Sequence, residues 1–225
     1  MKNNQLHFNF LPKVEYKLED YILTKSNLSA YNMIMLHHEN WQSHRMIVCG
    51  PSGCGKTHLL SIWAKANDAW LFDAKDINAI NAKYDGQALA IDNFDQDYDN
   101  LAMFGVLNQA QNQHRPVLIM SRNTPGDLNT TLFDLKSRLE GSSLSTISLP
   151  DDETLSLVLI KHFQDRQLTI RPDVIRYIVT RIERTYDAAY HIVSKIDRLS
   201  LTQKIPITKR LVTKVLDSLL KTSND

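Results

Sequence analysis

The chain has 225 residues, of which 43% are apolar and 23% charged, and its net charge is +1 with histidines neutral. That length and apolar content support one large domain or two small ones around a sizeable core. The near-zero charge excludes a global field that would draw the whole molecule to nucleic acid. No apolar run approaches the roughly 18 residues of a membrane span, and the N-terminus lacks the apolar stretch of a signal peptide.

Residues 1–15 have neither helical nor strand periodicity and contain Pro12, so they read as an extended tail. Within it, Gln5-Leu6-His7-Phe8-Asn9-Phe10 alternates apolar residues at positions 6, 8 and 10. On pattern alone this is a short edge strand or a segment that docks in a groove, with the edge strand favoured. Asn27 or Ser29 is placed to cap a helix carrying Tyr31, Ile34 and Met35. Apolar Met46-Ile47-Val48-Cys49 then predicts a short buried strand, and His58 to Lys65 predicts a helix.

Between that strand and that helix stands Gly50-Pro51-Ser52-Gly53-Cys54-Gly55-Lys56-Thr57, which fits the phosphate-binding pattern G-x-x-x-x-G-K-[ST]. The glycines let successive N–H groups face phosphate oxygens, and the helix N-terminus adds partial positive charge. Lys56 is expected to reach the β- and γ-phosphates and the Thr57 hydroxyl to bind Mg²⁺. Residues 50–58 are therefore the first candidate nucleotide contacts. Cys49 and Cys54, the only cysteines, fall on this strand and loop, where a disulfide would distort the cradle. A reduced, cytoplasmic protein is expected.

A second strand is predicted at Ala69 to Asp73, with a short helical stretch to about Lys83. A third strand, Ala88-Leu89-Ala90-Ile91-Asp92, ends in an acid. In a phosphate-loop protein that acid holds Mg²⁺, so Asp92 joins Thr57 as the expected metal pair. Position 93 is Asn, which cannot accept a proton, so intrinsic hydrolysis is expected to be weak or absent. Asp95-Gln96-Asp97-Tyr98-Asp99 starts like a calcium loop but lacks the glycine and glutamate that such a loop needs, and reads as a solvated acidic loop. A helix from Leu101 to Gln113 and a strand at Val117 to Met120 follow. The polar residues past that strand, Asn123 or Ser121, are candidates to sense a γ-phosphate.

Thr131 to Leu139 predicts a helix carrying Arg138, and Leu144 to Leu149 a fifth strand. Strands alternating with helices imply an α/β fold, a parallel sheet sandwiched by helices. From Asp151 the spacing is purely helical: one helix capped by Asp151, one started by Pro172, one running through Ala189, Ile192, Val193, Ile196 and Leu199, and one preceded by Pro206 and Thr208. The expected organisation is a tail at 1–15, a nucleotide-binding base at 16–150 and an all-α lid at 151–225.

Leu18-Glu19-Asp20-Tyr21-Ile22, the G-K-T-H-L-L run at 55–60, Ile91-Asp92-Asn93 and Leu135-Lys136-Ser137-Arg138-Leu139 together resemble the AAA+ module of the replication initiator DnaA. The resemblance covers roughly residues 18–220. It lacks the helix-turn-helix that reads duplex DNA in DnaA, and Asp73 to Gln87 leaves little room for that protein's single-strand-binding helices. Within the family the chain is most like the Hda regulators. The resemblance implies that Gln5, Leu6, Phe8 and Phe10 bind the DNA polymerase sliding clamp. It further implies that Arg138 is an arginine finger acting in trans on DnaA-bound ATP, that ADP or ATP occupies the chain's own loop, and that re-initiation is thereby prevented. A homodimer is left open. Two departures stand out. Asp187 falls where the family's lid carries a sensor arginine, with Arg184 one turn away. Arg122-Asn123 replaces the usual Asp-Arg pair. A helicase loader, a clamp-independent adaptor and a small-molecule kinase are the competing readings.

Overall fold

The computed structural model describes residues 18–222 apart from Gln96, Asn129 and Lys204. The clamp-type segment Gln5 to Phe10 lies outside the described residues. Strands and helices alternate from the start: α1 (Leu28–Met35), β1 (Arg45–Cys49), α2 (Lys56–Ala66), β2 (Trp70–Asp73), α3 (Ile77–Asn81), β3 (Leu89–Asp92), α4 (Asn100–Asn112), β4 (Val117–Ser121), α5 (Phe133–Glu140) and β5 (Ser143–Thr146). Four helices follow: α6 (Asp152–Asp165), α7 (Pro172–Val179), α8 (Tyr186–Gln203) and α9 (Lys209–Thr222).

The five strands form one parallel sheet in the order β2-β3-β4-β1-β5. β1 and β4 sit inside it and are buried along their whole length. This is why their sequences are continuous apolar runs instead of alternating ones. The period of two along β1 still sorts side chains between two layers. Ile47 and Cys49 pack with α3, α4 and α5 residues such as Ile77, Met103, Leu107 and Leu135. Met46 and Val48 pack with Ile34, Leu59 and Trp63 from α1 and α2. Helices α6 to α9 have an apolar cluster of their own, centred on Leu159, Phe163, Ile178, Ile192, Val193 and Val212. Among the described residues no helix is long and apolar enough to cross a membrane.

The structure corrects three local expectations. Asn27 precedes α1 but does not cap it. Its side chain turns back, accepting from Thr24 N–H (2.9 Å) and donating to the Ile22 carbonyl (2.9 Å). The acidic loop is not simply solvated. Asp95 is paired with Arg122 at 2.7 Å, its side chain only 8% exposed, and Asp99 caps α4 through the N–H groups of Leu101 and Ala102. The fifth strand ends at Thr146 because Ile147, whose N–H still bonds the Cys49 carbonyl (2.8 Å), lies against the phosphate loop.

Candidate functional site

The turn from β1 to α2 is built on backbone that only glycine adopts easily. Gly53 and Gly55 have φ of 72° and 92°. A Cβ on Gly50 would collide with the Ile147 carbonyl. Gly55 precedes α2 without a side-chain cap, and Gly55, Lys56, Thr57 and His58 at the start of the helix line the cleft. The Lys56 ammonium donates to the Gly50 and Pro51 carbonyls at 2.6 and 2.8 Å. The Thr57 hydroxyl donates to Asp92 Oδ2 at 2.7 Å, and the other Asp92 oxygen accepts the Asn93 N–H at 2.9 Å. Asn93, at φ 52°, donates its amide to Asp73 Oδ2 at 2.8 Å. The register of β2 on β3, which pairs Asp73 with Asp92, brings these three side chains together.

This hydroxyl–carboxylate pair beside a lysine is the donor set that a magnesium–phosphate group requires. It opens into a cleft of about 780 Å³ between the loop and helices α6 and α8, whose walls include Ser52, Gly53, Gly55, Lys56, Thr57, His58 and Asp92. Gly50 and Pro51 face a second, open cavity behind the loop, and Cys54 is fully buried beneath it. Burial pushes the Cys49 thiol up to about 11 and raises Cys54 as well, so both stay protonated.

At the tip of β4 the cleft is lined by Arg122, not by the expected Asn123. Asn123 is exposed; its carbonyl accepts from the Cys49 thiol (3.0 Å) and its N–H bonds the fully buried Ser121 (3.1 Å). On the lid side Asp187 lines the cleft, its carboxylate 3.4 Å from where a Gly53 Cβ would stand. Arg184 instead grips both oxygens of Asp152 with its Nε and Nη2 (2.8 and 3.2 Å) and faces the second cavity. The α6 cations that line the cleft are engaged too. Lys161 pairs with Asp20 and Asp165, and Arg166 lies 3.8 Å from Asp197 and over the Tyr190 ring.

Two residues of this site carried no signal that assigned them a role. Tyr186 donates its N–H to the Gly53 carbonyl at 2.9 Å, joining α8 to the loop. The rings of Tyr21 and Tyr186 then flank Gly55, each within 3.8 Å of a Cβ placed there. Tyr21 also stacks on Tyr31 and meets His58 edge-on. Both hydroxyls are buried and find no hydrogen-bond partner among the described residues. Tyr21 belongs to the Leu18–Ile22 run, but nothing in its spacing points at the loop.

Arg138 lies elsewhere. On α5, its guanidinium donates to Gln111 and to Asn108 (2.9 Å) and covers the Phe104 ring at 4.9 Å. Arg45, 2% exposed at the start of β1, shares the Gln111 oxygen (3.0 Å) and donates to the Arg138 carbonyl (3.3 Å) and to Ser142 (3.2 Å). Burial, reinforced by the Arg138 charge, pushes Arg45 down to about 10. The loop begins at the other end of β1, about 13 Å along the strand. Arg138 therefore does not line the chain's own cleft.

The family model for the Hda lid domain matches residues 151–216. The DnaA initiators of Clavibacter sepedonicus and Mycobacteroides abscessus are 24% and 26% identical over 80% of this chain. The chain is similar to DnaA initiators, and its residues 151–216 are similar to the lid domain of Hda. It spans only about 43% of the length of those initiators. Domain III of Thermotoga maritima DnaA superposes with a TM-score of 0.77 at 17% identity, covering 90% of this chain and 96% of that one. AMPPCP-bound DnaA from Aquifex aeolicus gives 0.69 at 21% identity, over 84% and 68%. RuvB of Thermotoga maritima gives 0.70 at 16%, over 91% and 72%. At such identities these neighbours fix the AAA+ fold, a parallel-sheet base followed by a helical lid.

Proposed function

We propose that this chain regulates the initiation of chromosome replication by promoting hydrolysis of the ATP held by DnaA, acting from the sliding clamp. The observation that carries the reading is the separation of Arg138 from the chain's own phosphate loop by the length of β1. A guanidinium there serves a nucleotide only if the nucleotide belongs to another molecule. Set against a partner's γ-phosphate, it would stabilise the charge that spreads over the phosphate oxygens. Fingers supplied in trans are worth on the order of 10³–10⁵ in rate. Its holders Asn108, Gln111 and Phe104 are neutral, so release toward a phosphate breaks no ion pair.

The chain's own cleft is read as a regulatory nucleotide site for ADP or ATP with Mg²⁺. Lys56 and the loop N–H groups would hold phosphate, and Thr57 and Asp92 would hold the metal, which shields phosphate charge. Weak intrinsic turnover follows from two features. The Asn93 amide, fixed on Asp73, cannot take a proton from water. The Asp187 carboxylate stands where a further negative charge would be repelled. The tail Gln5-Leu6-His7-Phe8-Asn9-Phe10 would anchor the chain on the clamp, Gln5 by hydrogen bonds and Leu6, Phe8 and Phe10 by apolar contact.

The test is hydrolysis of DnaA-bound ATP on clamp-loaded DNA, with wild type, Arg138→Ala and Gln5→Ala/Leu6→Ala. Wild type should accelerate hydrolysis, and both variants should lose the acceleration. Only the tail variant should lose clamp binding. Full acceleration by Arg138→Ala would remove the finger. Full acceleration and clamp binding by the tail variant would remove the anchor and favour a clamp-independent adaptor.

A further inference from the structure

The near-neutral chain hides a charge separation. Residues 18–150 carry ten lysines and arginines against fourteen acids, and residues 151–222 carry thirteen against nine. The excess on the lid is concentrated away from the cleft, on α7, α8 and α9. Arg176 on α7, Arg181 just after it, Lys195 and Arg198 on α8, and Arg210 and Lys214 on α9 are all exposed. None has an acidic partner among the described residues.

Side-chain contacts bring these three helices side by side. The Tyr177 hydroxyl meets Thr213 at 2.8 Å, and Lys209 pairs with Asp173 at 3.1 Å, joining α9 to α7. Lys214 donates to Gln203 at 3.3 Å, joining α9 to α8. The buried positions of α9 are Leu211, Val212 and Val215, so Arg210, Thr213, Lys214, Asp217 and Ser218 fall on the solvent side at helical spacing. On α8 the buried Ala189, Ile192, Val193 and Ile196 leave Lys195, Arg198 and Thr202 outward in the same way. The outward positions are mainly cations and hydroxyls, with Asp217 on α9 and Glu183 near Arg181 the exposed acids beside them. A protein interface of this size would need an apolar centre, which these positions lack. Leu201 and Ile205 lie only at the α8–α9 turn. Arg181 stacks at 3.7 Å over the Tyr177 ring, which leaves the guanidinium rigid and charged at the surface.

We infer that the α7–α8–α9 face of the lid is a contact surface for the phosphate backbone of duplex nucleic acid, without base readout. Lysines, arginines and short hydroxyls are the groups that contact phosphates, and a spread across three helices matches a duplex better than a point ligand. This surface is separate from the cleft and from Arg138, so its test stands apart from the regulatory reading above.

The experiment titrates a fluorescein-labelled 30-base-pair duplex with the full chain, wild type and Arg181→Ala/Arg210→Ala/Lys214→Ala, across a salt series. Wild type should bind with equal affinity to unrelated sequences and weaken as salt rises. The triple variant should bind at least about tenfold more weakly at low salt, and its salt slope should be shallower by roughly 2 to 3, about 0.9 per lost phosphate contact. Substituting the same three positions as Arg181→Lys/Arg210→Lys/Lys214→Arg keeps the charges and should keep the binding. An unchanged melting temperature and unchanged ADP binding show that the alanine variant is folded. Equal binding by wild type and the alanine variant, or no binding by wild type, overturns the inference. So does displacement by polyglutamate as effective as by unlabelled duplex at equal charge, which would mark the face as a reader of acidic protein.

Discussion

The two ends of β1 hold cations under opposite demands. At the loop end Lys56 has no carboxylate partner among the described residues and rests on the Gly50 and Pro51 carbonyls of its own loop, facing an open cleft. At the other end Arg45 is sealed under Arg138, and both share one amide oxygen of Gln111. The first arrangement is easily exchanged for a phosphate, because carbonyls are weak competitors for an ammonium. The second is a scaffold. Arg45 is too buried to move, and it fixes the end of α5 from which Arg138 projects. On the proposed reading, one strand separates a group that would receive a ligand from a group that would act on another molecule.

The largest effect should come from crossing the two ends. Lys56→Ala should weaken binding of ADP and of ATP to this chain by roughly 10- to 100-fold, the worth of a hydrogen bond to a charged group. Arg138→Ala should leave the same binding within about twofold, since Arg138 lies at the far end of a strand about 13 Å long and does not line the cleft. Isothermal titration calorimetry on the two variants decides this. A loss of binding in Arg138→Ala as deep as in Lys56→Ala would mean that Arg138 reaches the chain's own nucleotide.

The same contrast marks what was legible beforehand. The loop end is local: a glycine pattern, an apolar strand before it and a helix after it lie within about twenty consecutive residues, and each residue type there answers a stereochemical need. The α/β alternation and the onset of helices after Asp151 were readable for the same reason. The Arg138 end is assembled from residues 45, 104, 108, 111 and 142; helical spacing puts 104, 108 and 111 on one face of α4, but no periodicity joins that face to Arg45 or Arg138. Arg122 and Asn123 show how fine the limit is. Neighbours at a strand tip point opposite ways, so the residue that lines the cleft is decided by a single step of the chain. Asn27 stands in the right place for a cap, but only the fold reveals that its amide serves Thr24 and Ile22 instead. Asp95 looked solvated because its partner Arg122 is 27 residues away.

A smaller effect tests whether the loop end depends on the lid. Gly53 has φ 72°, and a Cβ there would stand 2.7 Å from the Thr185 Cβ. Gly53→Ala should therefore destabilise the protein by about 1–3 kcal/mol through backbone strain alone. It should also loosen the Tyr186–Gly53 contact that seats α8 on the loop. Denaturant unfolding gives the first number. Faster proteolysis after Tyr186 in the variant gives the second, and Gly126→Ala, which meets nothing within 4 Å, is the control. An alanine at 53 with wild-type stability and wild-type protection would show that the loop and lid are not coupled.

The smallest effect is carried by His162, on the cleft side of α6. Burial, aided by the Arg166 charge, holds its pKa below the ordinary histidine value, against the weaker upward pull of Asp165. The unfolded chain therefore takes up a proton at a higher pH than the folded one. Stability contributed by the neutral imidazole is full above the unfolded value near 6.5 and is lost as pH falls from there through the lower folded value. The melting temperature should drop between pH 7 and pH 5, and His162→Gln, which keeps a neutral polar side chain against the Tyr190 ring, should flatten part of that drop. His191, exposed on α8, is the matched comparison. If His191→Gln flattens the profile and His162→Gln does not, the titrating group is the exposed histidine of the cleft and the burial argument for α6 is wrong.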